Sequence, residues 1–133
     1  MIAIVCVDDK LGLAFNHRRQ SRDAVLCEDI LTLAADAPLW MHPYSASLFP
    51  ADRIHADESY LAHAGTNDYC FLERENLLPY ADAVHTLVLY RWNRTYPADI
   101  YFSWDWDSYQ NTETVSFRGK SHPDLVREIW KRK

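Results

Sequence analysis

The first strong pattern in the chain is a continuous apolar run, Ile2 to Val7, of strand length and without polar alternation. Such a run suits a central strand covered on both faces. The period then changes. Leu26, Ile30 and Leu33 recur at helical spacing, with Glu28 and Thr32 opposite, and predict a helix from about Arg22 to Ala35. Ser21 is its expected N-cap, and Asp23 in the first turn suits the positive end of the helix dipole. "PLWM" at 38–41 and "DYCFL" at 68–72 read as short buried strands, with a short helix over Asp57 to Ala64 between them. "TLVLYRW" at 86–92 is the longest β-type run after the first. Strands alternating with helices predict an α/β fold with a mainly parallel sheet, flanked by helices and joined by right-handed crossovers. Beyond Trp104 the pattern turns strand-rich and polar, and "DLVREIW" at 124–130 fits a strand or a short helix.

Composition narrows the class. The 133 residues contain no repeat, low-complexity tract or linker, so 1–133 reads as a single domain. A hydrophobic share of 48% with only three glycines predicts a packed chain. The net charge of −5 disfavours nonspecific nucleic-acid binding, which depends on excess Lys and Arg. Cys6, Cys27 and Cys70 are odd in number and show no C-x-x-C spacing, which suggests reduced, buried thiols in a cytoplasmic protein. The opening "IAIVCV" is too short and lacks the basic flank of a signal peptide, and no run approaches the ~20 apolar residues of a membrane span.

Metal chemistry finds little support. The six histidines are scattered, without an H-x-H or H-E-x-x-H motif, and this disfavours a zinc site. The H-x-H-x-D-H run that a ribonuclease Z would need is absent, as are a G-x-S-x-G elbow and a P-loop.

The order of segments carries more. "MIAIVCVDDKLGL", the helix-like run, "PLWM", "YSASLF", "RIHADESYLAHAG", "DYCFLE", "LLPYADAVHTLVLYRWN", "ADIYF" and "SHPDLVREIWKR" follow one another along nearly the whole chain. In that order the sequence resembles the dihydrofolate reductase family. The resemblance implies a single-domain α/β fold with an antiparallel C-terminal strand, trimmed by about one strand between Phe49 and Arg53. It also implies a pterin cleft beside the first helix. Gly12 then matches the family's flexible loop, and Asp23 is the best match for the acid that holds and helps protonate the pterin. Asp29 is the alternative, because "EDILTLAADAPLWM" also aligns with the family's helix and second strand. An Asp in a first helical turn serves equally as a dipole-compensating charge.

The departures bear on function. The loop "FNHRRQSR" replaces the family's Pro-Trp pair and makes His17, Arg18, Arg19 and Arg22 the one dense basic patch. Asn16, Arg18 and Arg19 are therefore ligand-binding candidates, for a phosphate or carboxylate. A solvated loop offsetting Asp8, Asp9 and Asp23 is the plainer reading. Where the family's Gly-Arg/Lys-x-Thr run holds the cofactor's phosphates, His42 and Pro43 stand, and only Ser45 keeps a hydroxyl as a further candidate. Glu73 and Arg74 replace the Gly-Gly turn that lets backbone approach the dinucleotide. The expectation is that NADPH is not a cofactor.

Tyr90 and Trp92 alternate with polar residues, as do Trp104 and Trp106, while Ala98, Asp99 and Phe102 remain of the family's next motif. The rings either pack inside or form a stacking or partner surface. Three functions follow: a pseudoenzyme binding a small anionic or pterin-like ligand in the cleft beside the first helix; an interaction protein meeting a partner or second copy through Trp92, Trp104 and Trp106; or a still-active NADPH-dependent reductase.

Overall fold

Ile2–Val7 forms the central strand, β1, with a parallel neighbour on each side. The computed structural model describes residues 1–133. Ile4 of β1 lies opposite Phe71 of β6 (Tyr69–Leu72) and Val88 of β7 (Thr86–Arg91), strands being numbered in chain order. Beyond β6 come β4 (Leu39–Met41) and the two-residue edge strand β5 (His55–Ala56), also parallel. Beyond β7 the sheet turns antiparallel, through β10 (Leu125–Arg132) and then β9 (Tyr109–Phe117). The seven strands run in the order β5-β4-β6-β1-β7-β10-β9.

The ambiguous C-terminal segment is thus a strand. Its period is two: Leu125 and Ile129 pack with the core on one side of the sheet, Trp130 with the core on the other.

Helix α1 spans Ala24–Ala34 and presses Leu26, Ile30 and Ala34 against Ile4, Met41, Phe71 and Val88. The N-cap is Asp23, not the expected Ser21. Asp23 has extended backbone (φ −151°, ψ 126°), and its side chain accepts from the Val25 and Leu26 N–H groups. On the opposite face, Ala3, Val5, Leu87 and Leu89 meet Leu77 and Phe102, with Tyr60 and Leu61 of the short helix α2 (Tyr60–His63). The Ser-bearing segment after β4 is a 3-10 turn, Pro43–Leu48.

The basic stretch expected as a loop is a hairpin. β2 (Gly12–Phe15) pairs with β3 (Arg18–Arg19) on one side and β8 (Ile100–Tyr101) on the other. Asn16 and His17 form its two-residue turn, both left-handed at φ 51° and 62°, the backbone that a twisted hairpin prefers. The buried Asp8 carboxylate ties the hairpin down, accepting from the N–H groups of Lys10, Gly12 and Tyr96 and from the Gln20 amide. No helix is long and apolar enough to cross a membrane.

Candidate functional site

The start of α1, the β2–β3 hairpin, the 3-10 turn at Pro43–Leu48, the end of β6 and the loop between β9 and β10 meet in one cleft. Glu73 leaves β6 pointing inward and is buried. Arg19 donates to its two oxygens from Nε (2.8 Å) and Nη2 (3.0 Å), and Ser45 Oγ donates at 2.7 Å. Burial works against the charge on Arg19, but the Glu73 carboxylate outweighs it and raises the guanidinium pKa. Arg19 also lies over the Tyr44 ring at 4.4 Å and bonds the Tyr44 carbonyl at 3.2 Å. Arg74 lies over the same ring at 3.8 Å and bonds the His17 carbonyl.

Behind this plug remains a gap of about 20 Å³, walled in part by Ser21, Leu26, Cys27, Phe71 and Trp92. That is room for about one water molecule. Outside it, a depression of about 400 Å³ shares Arg22, Asp23, Cys27 and Leu48 with the inner wall and adds Ser47, Lys120 and Ser121.

Asp23 is placed at the start of α1, as the sequence predicts, but its carboxylate turns toward the β9–β10 loop. Besides the two helix N–H groups, Oδ1 accepts from the Lys120 N–H at 3.0 Å. Oδ2 accepts from the Ser121 N–H (2.9 Å) and hydroxyl (3.2 Å) and from His122 Nδ1 (3.0 Å). Burial opposes its charge, but the Lys120, Ser121, His122 and Leu26 donors outweigh it and hold the carboxyl well below the ordinary range. Gly119 makes the approach possible: a Cβ there would sit 2.5 Å from Asp23 Oδ2 and 2.7 Å from Leu125 Cδ1. His122 Nε2 faces Ser21 Oγ at 2.9 Å and the Tyr96 hydroxyl at 3.2 Å, and the ring packs on Trp92 at 4.7 Å.

Asp29, the alternative acid, is also engaged. It accepts from the Tyr90 hydroxyl at 2.6 Å and from Arg127 at 2.9 and 3.0 Å. Arg19 and Ser45 are brought together, on Glu73. Arg18 and Asn16 are exposed and border a shallow hollow on the hairpin that Arg19 also lines, and neither bonds to Ser45 or Glu73.

The aromatic residues do not share a surface. Trp92 is buried on the α1 side, whereas Trp104 and Trp106 pack on the opposite side of the sheet against Phe102, Tyr109 and Trp130. Cys6 and Cys27 line the gap with thiols that burial pushes up, Cys27 to about 11 and Cys6 well above its ordinary value.

His122, Lys120 and Ser121 were missed by sequence reasoning. They lie about a hundred residues from Asp23, and no spacing rule connects them. Glu73 was noticed for the glycine it replaces, not for the arginine it binds.

No family model matches the chain, and no curated protein matches it. Among solved structures, dihydrofolate reductase from Enterococcus faecalis, in complex with NADP(H) and RAB-propyl, superposes with a TM-score of 0.74 at 12% identity, over 99% of this chain and 95% of that one. The chain therefore has the dihydrofolate reductase fold: a mainly parallel sheet ending in antiparallel C-terminal strands.

Proposed function

We propose that this chain uses the dihydrofolate reductase fold to bind a small anionic ligand in the outer cleft beside α1, without NADPH chemistry. The observation that carries this reading is the buried Arg19–Glu73–Ser45 plug. It sets paired side chains where the resembled family's glycines admit cofactor backbone contacts. The residues present do not fit a dinucleotide.

The plug also narrows the ligand. A gap of about 20 Å³ has no room for a pterin ring, so a ligand would sit in the outer depression, whose charges suit an anion. The outer depression has the matching chemistry. Arg22 and Lys120 supply positive charge, Ser47 and Ser121 supply hydroxyl groups, and Leu48 with Cys27 makes an apolar patch. Asp23 serves this site by holding the Lys120–Ser121 backbone in place, and its ionised, saturated carboxylate is not a proton donor.

The expected clamp moves accordingly, from Arg18 and Arg19 to Arg22 and Lys120. The interaction-protein reading loses its main support because Trp92 is buried and the other two tryptophans lie across the sheet.

The test is a thermal-shift titration with inorganic phosphate and succinate. Saturable stabilisation that disappears in an Arg22→Ala/Lys120→Ala variant supports the reading, since a ligand at a hundred times its Kd adds about 2.7 kcal/mol. An equal shift in the variant, or no shift in either protein, rejects it.

A further inference from the structure

Ser21, His122 and Asp23 form a chain of hydrogen bonds in the wall of the same cleft. His122 Nδ1 lies 3.0 Å from Asp23 Oδ2, and His122 Nε2 lies 2.9 Å from Ser21 Oγ. An ionised carboxylate only accepts, so the neutral imidazole carries its proton on Nδ1 and leaves the Nε2 lone pair to two hydroxyls, Ser21 nearer at 2.9 Å and Tyr96 at 3.2 Å. This geometry makes a serine oxygen nucleophilic, and it is recognised by roles and distances, not by chain order. The His122 side chain is 6% exposed and held against Trp92, so the ring keeps this orientation. Ser21 is half-buried and lines the small gap behind the outer depression.

We propose that Ser21 is the nucleophile of an esterase site for small esters bearing a carboxylate or phosphate group, with His122 as its base and Asp23 as a positioning residue. Ser21 Oγ bonds to the ester carbonyl carbon while its proton passes to His122 Nε2 and the carbonyl π pair moves onto oxygen. The Arg22 backbone N–H, next in the chain and without a hydrogen-bond partner in the fold, is the donor available to that oxygen. Collapse restores the carbonyl and breaks the bond to the alcohol, which leaves with the proton from Nε2. Water then gives a proton to His122 and attacks the Ser21 ester, and the acid is released as Ser21 regains its hydrogen. Ester and water become acid and alcohol.

The shape of the cleft sets the substrate class. The gap at Ser21, about 20 Å³ beside Leu26 and Trp92, takes only the ester carbonyl, so the rest of the substrate lies in the adjoining outer depression, where Arg22 and Lys120 meet its charged end. The inference rests on the anion-site reading for that charged end alone.

A purely structural role for the same three residues, clamping the β9–β10 loop to α1, predicts an inert Ser21. The deciding experiment treats the folded protein with a fluorophosphonate serine reagent and maps the adduct by peptide mass. Ser21 is expected to react at least about 100-fold faster than in His122→Gln, the scale of positioned general-base catalysis. Hydrolysis of 4-nitrophenyl acetate should be lost in Ser21→Ala, and the hemisuccinate ester should turn over faster than the acetate. An unlabelled Ser21, or equal labelling in a His122→Gln variant that melts as a folded protein, overturns the proposal. Should that variant not fold, undiminished turnover in Ser21→Ala overturns it. Inorganic phosphate separates the two claims. Labelling of Ser21 that phosphate does not slow supports the nucleophile and counts against the anion site, whereas saturable phosphate binding beside an inert Ser21 does the reverse.

Discussion

Arg19 and Glu73, 54 residues apart in sequence, meet through two parallel hydrogen bonds in the cleft beside α1. The hairpin carries the arginine, the end of β6 carries the glutamate, and Ser45 completes the set from the turn after β4. The side chains are 20% and 8% exposed, so neither charge has water as an adequate substitute for the other.

Removing one partner should therefore cost far more than removing both. Glu73→Leu alone leaves a largely buried guanidinium unpaired and is expected to destabilise by about 3–5 kcal/mol, whereas Arg19→Met with Glu73→Leu should be near neutral or stabilising. Urea unfolding of the four proteins of the cycle measures this. Equal losses in the single and double variants would show that packing, not charge pairing, holds the plug.

Asp23 gives a pH dependence with a definite sign. Its folded pKa is depressed below the ordinary aspartate value of 3.8, so its contribution to stability is complete above about pH 4 and is lost as pH falls toward the folded value. Asp23→Asn should flatten the stability profile below about pH 4, while leaving the part that the similarly depressed Asp8 contributes. Denaturant midpoints between pH 2 and pH 7 for both proteins check it. Parallel profiles would mean that the Asp23 bonds form equally well with the protonated acid.

Gly119 should be intolerant of a methyl group. Its Cβ would meet Asp23 Oδ2 at 2.5 Å and Leu125 Cδ1 at 2.7 Å, neither a free side-chain end, so the loop must lift. Gly119→Ala is expected to cost about 1–3 kcal/mol and to expose the Lys120 and Ser121 N–H groups. Hydrogen exchange at those two amides reads the change directly. Unchanged protection would place the loop elsewhere.

The thiols should be slow. Burial pushes Cys70 to about 12 and Cys27 to about 11, with Cys6 well above its ordinary value, so little thiolate exists at pH 8. A disulfide-exchange reagent should react with all three cysteines at once in denaturant and only slowly in the native protein. Rapid native reaction at Cys27 would show that the cleft wall opens to solvent.

The sheet was legible because its central strands are continuous apolar runs, and a strand buried on both faces leaves no other pattern. Helix α1 was legible for the same reason, through Leu26 and Ile30, although its cap was misplaced by two residues: Ser21 and Asp23 are both good caps, and only backbone geometry separates them. The hairpin was not legible. Asn16-His17 is a weak turn signal, and the arginines after it resemble an open basic loop. The cleft was legible only in part. Asp23 and Arg19 lie beside the cleft, but their partners, His122 and Glu73, come from distant segments. A charge with a buried partner reads in sequence like a charge awaiting a ligand.

The most direct test of an anion-binding cleft that does not take NADPH is a paired amide chemical-shift titration. With inorganic phosphate, saturable shifts are expected at Arg22, Ala24, Lys120 and Ser121, around the outer depression. With NADPH, the amides of Ser45, Glu73 and Arg74 should stay unmoved into the millimolar range. Saturation of those three by NADPH at low micromolar concentration, or the absence of any phosphate response around Arg22 and Lys120, would contradict the account.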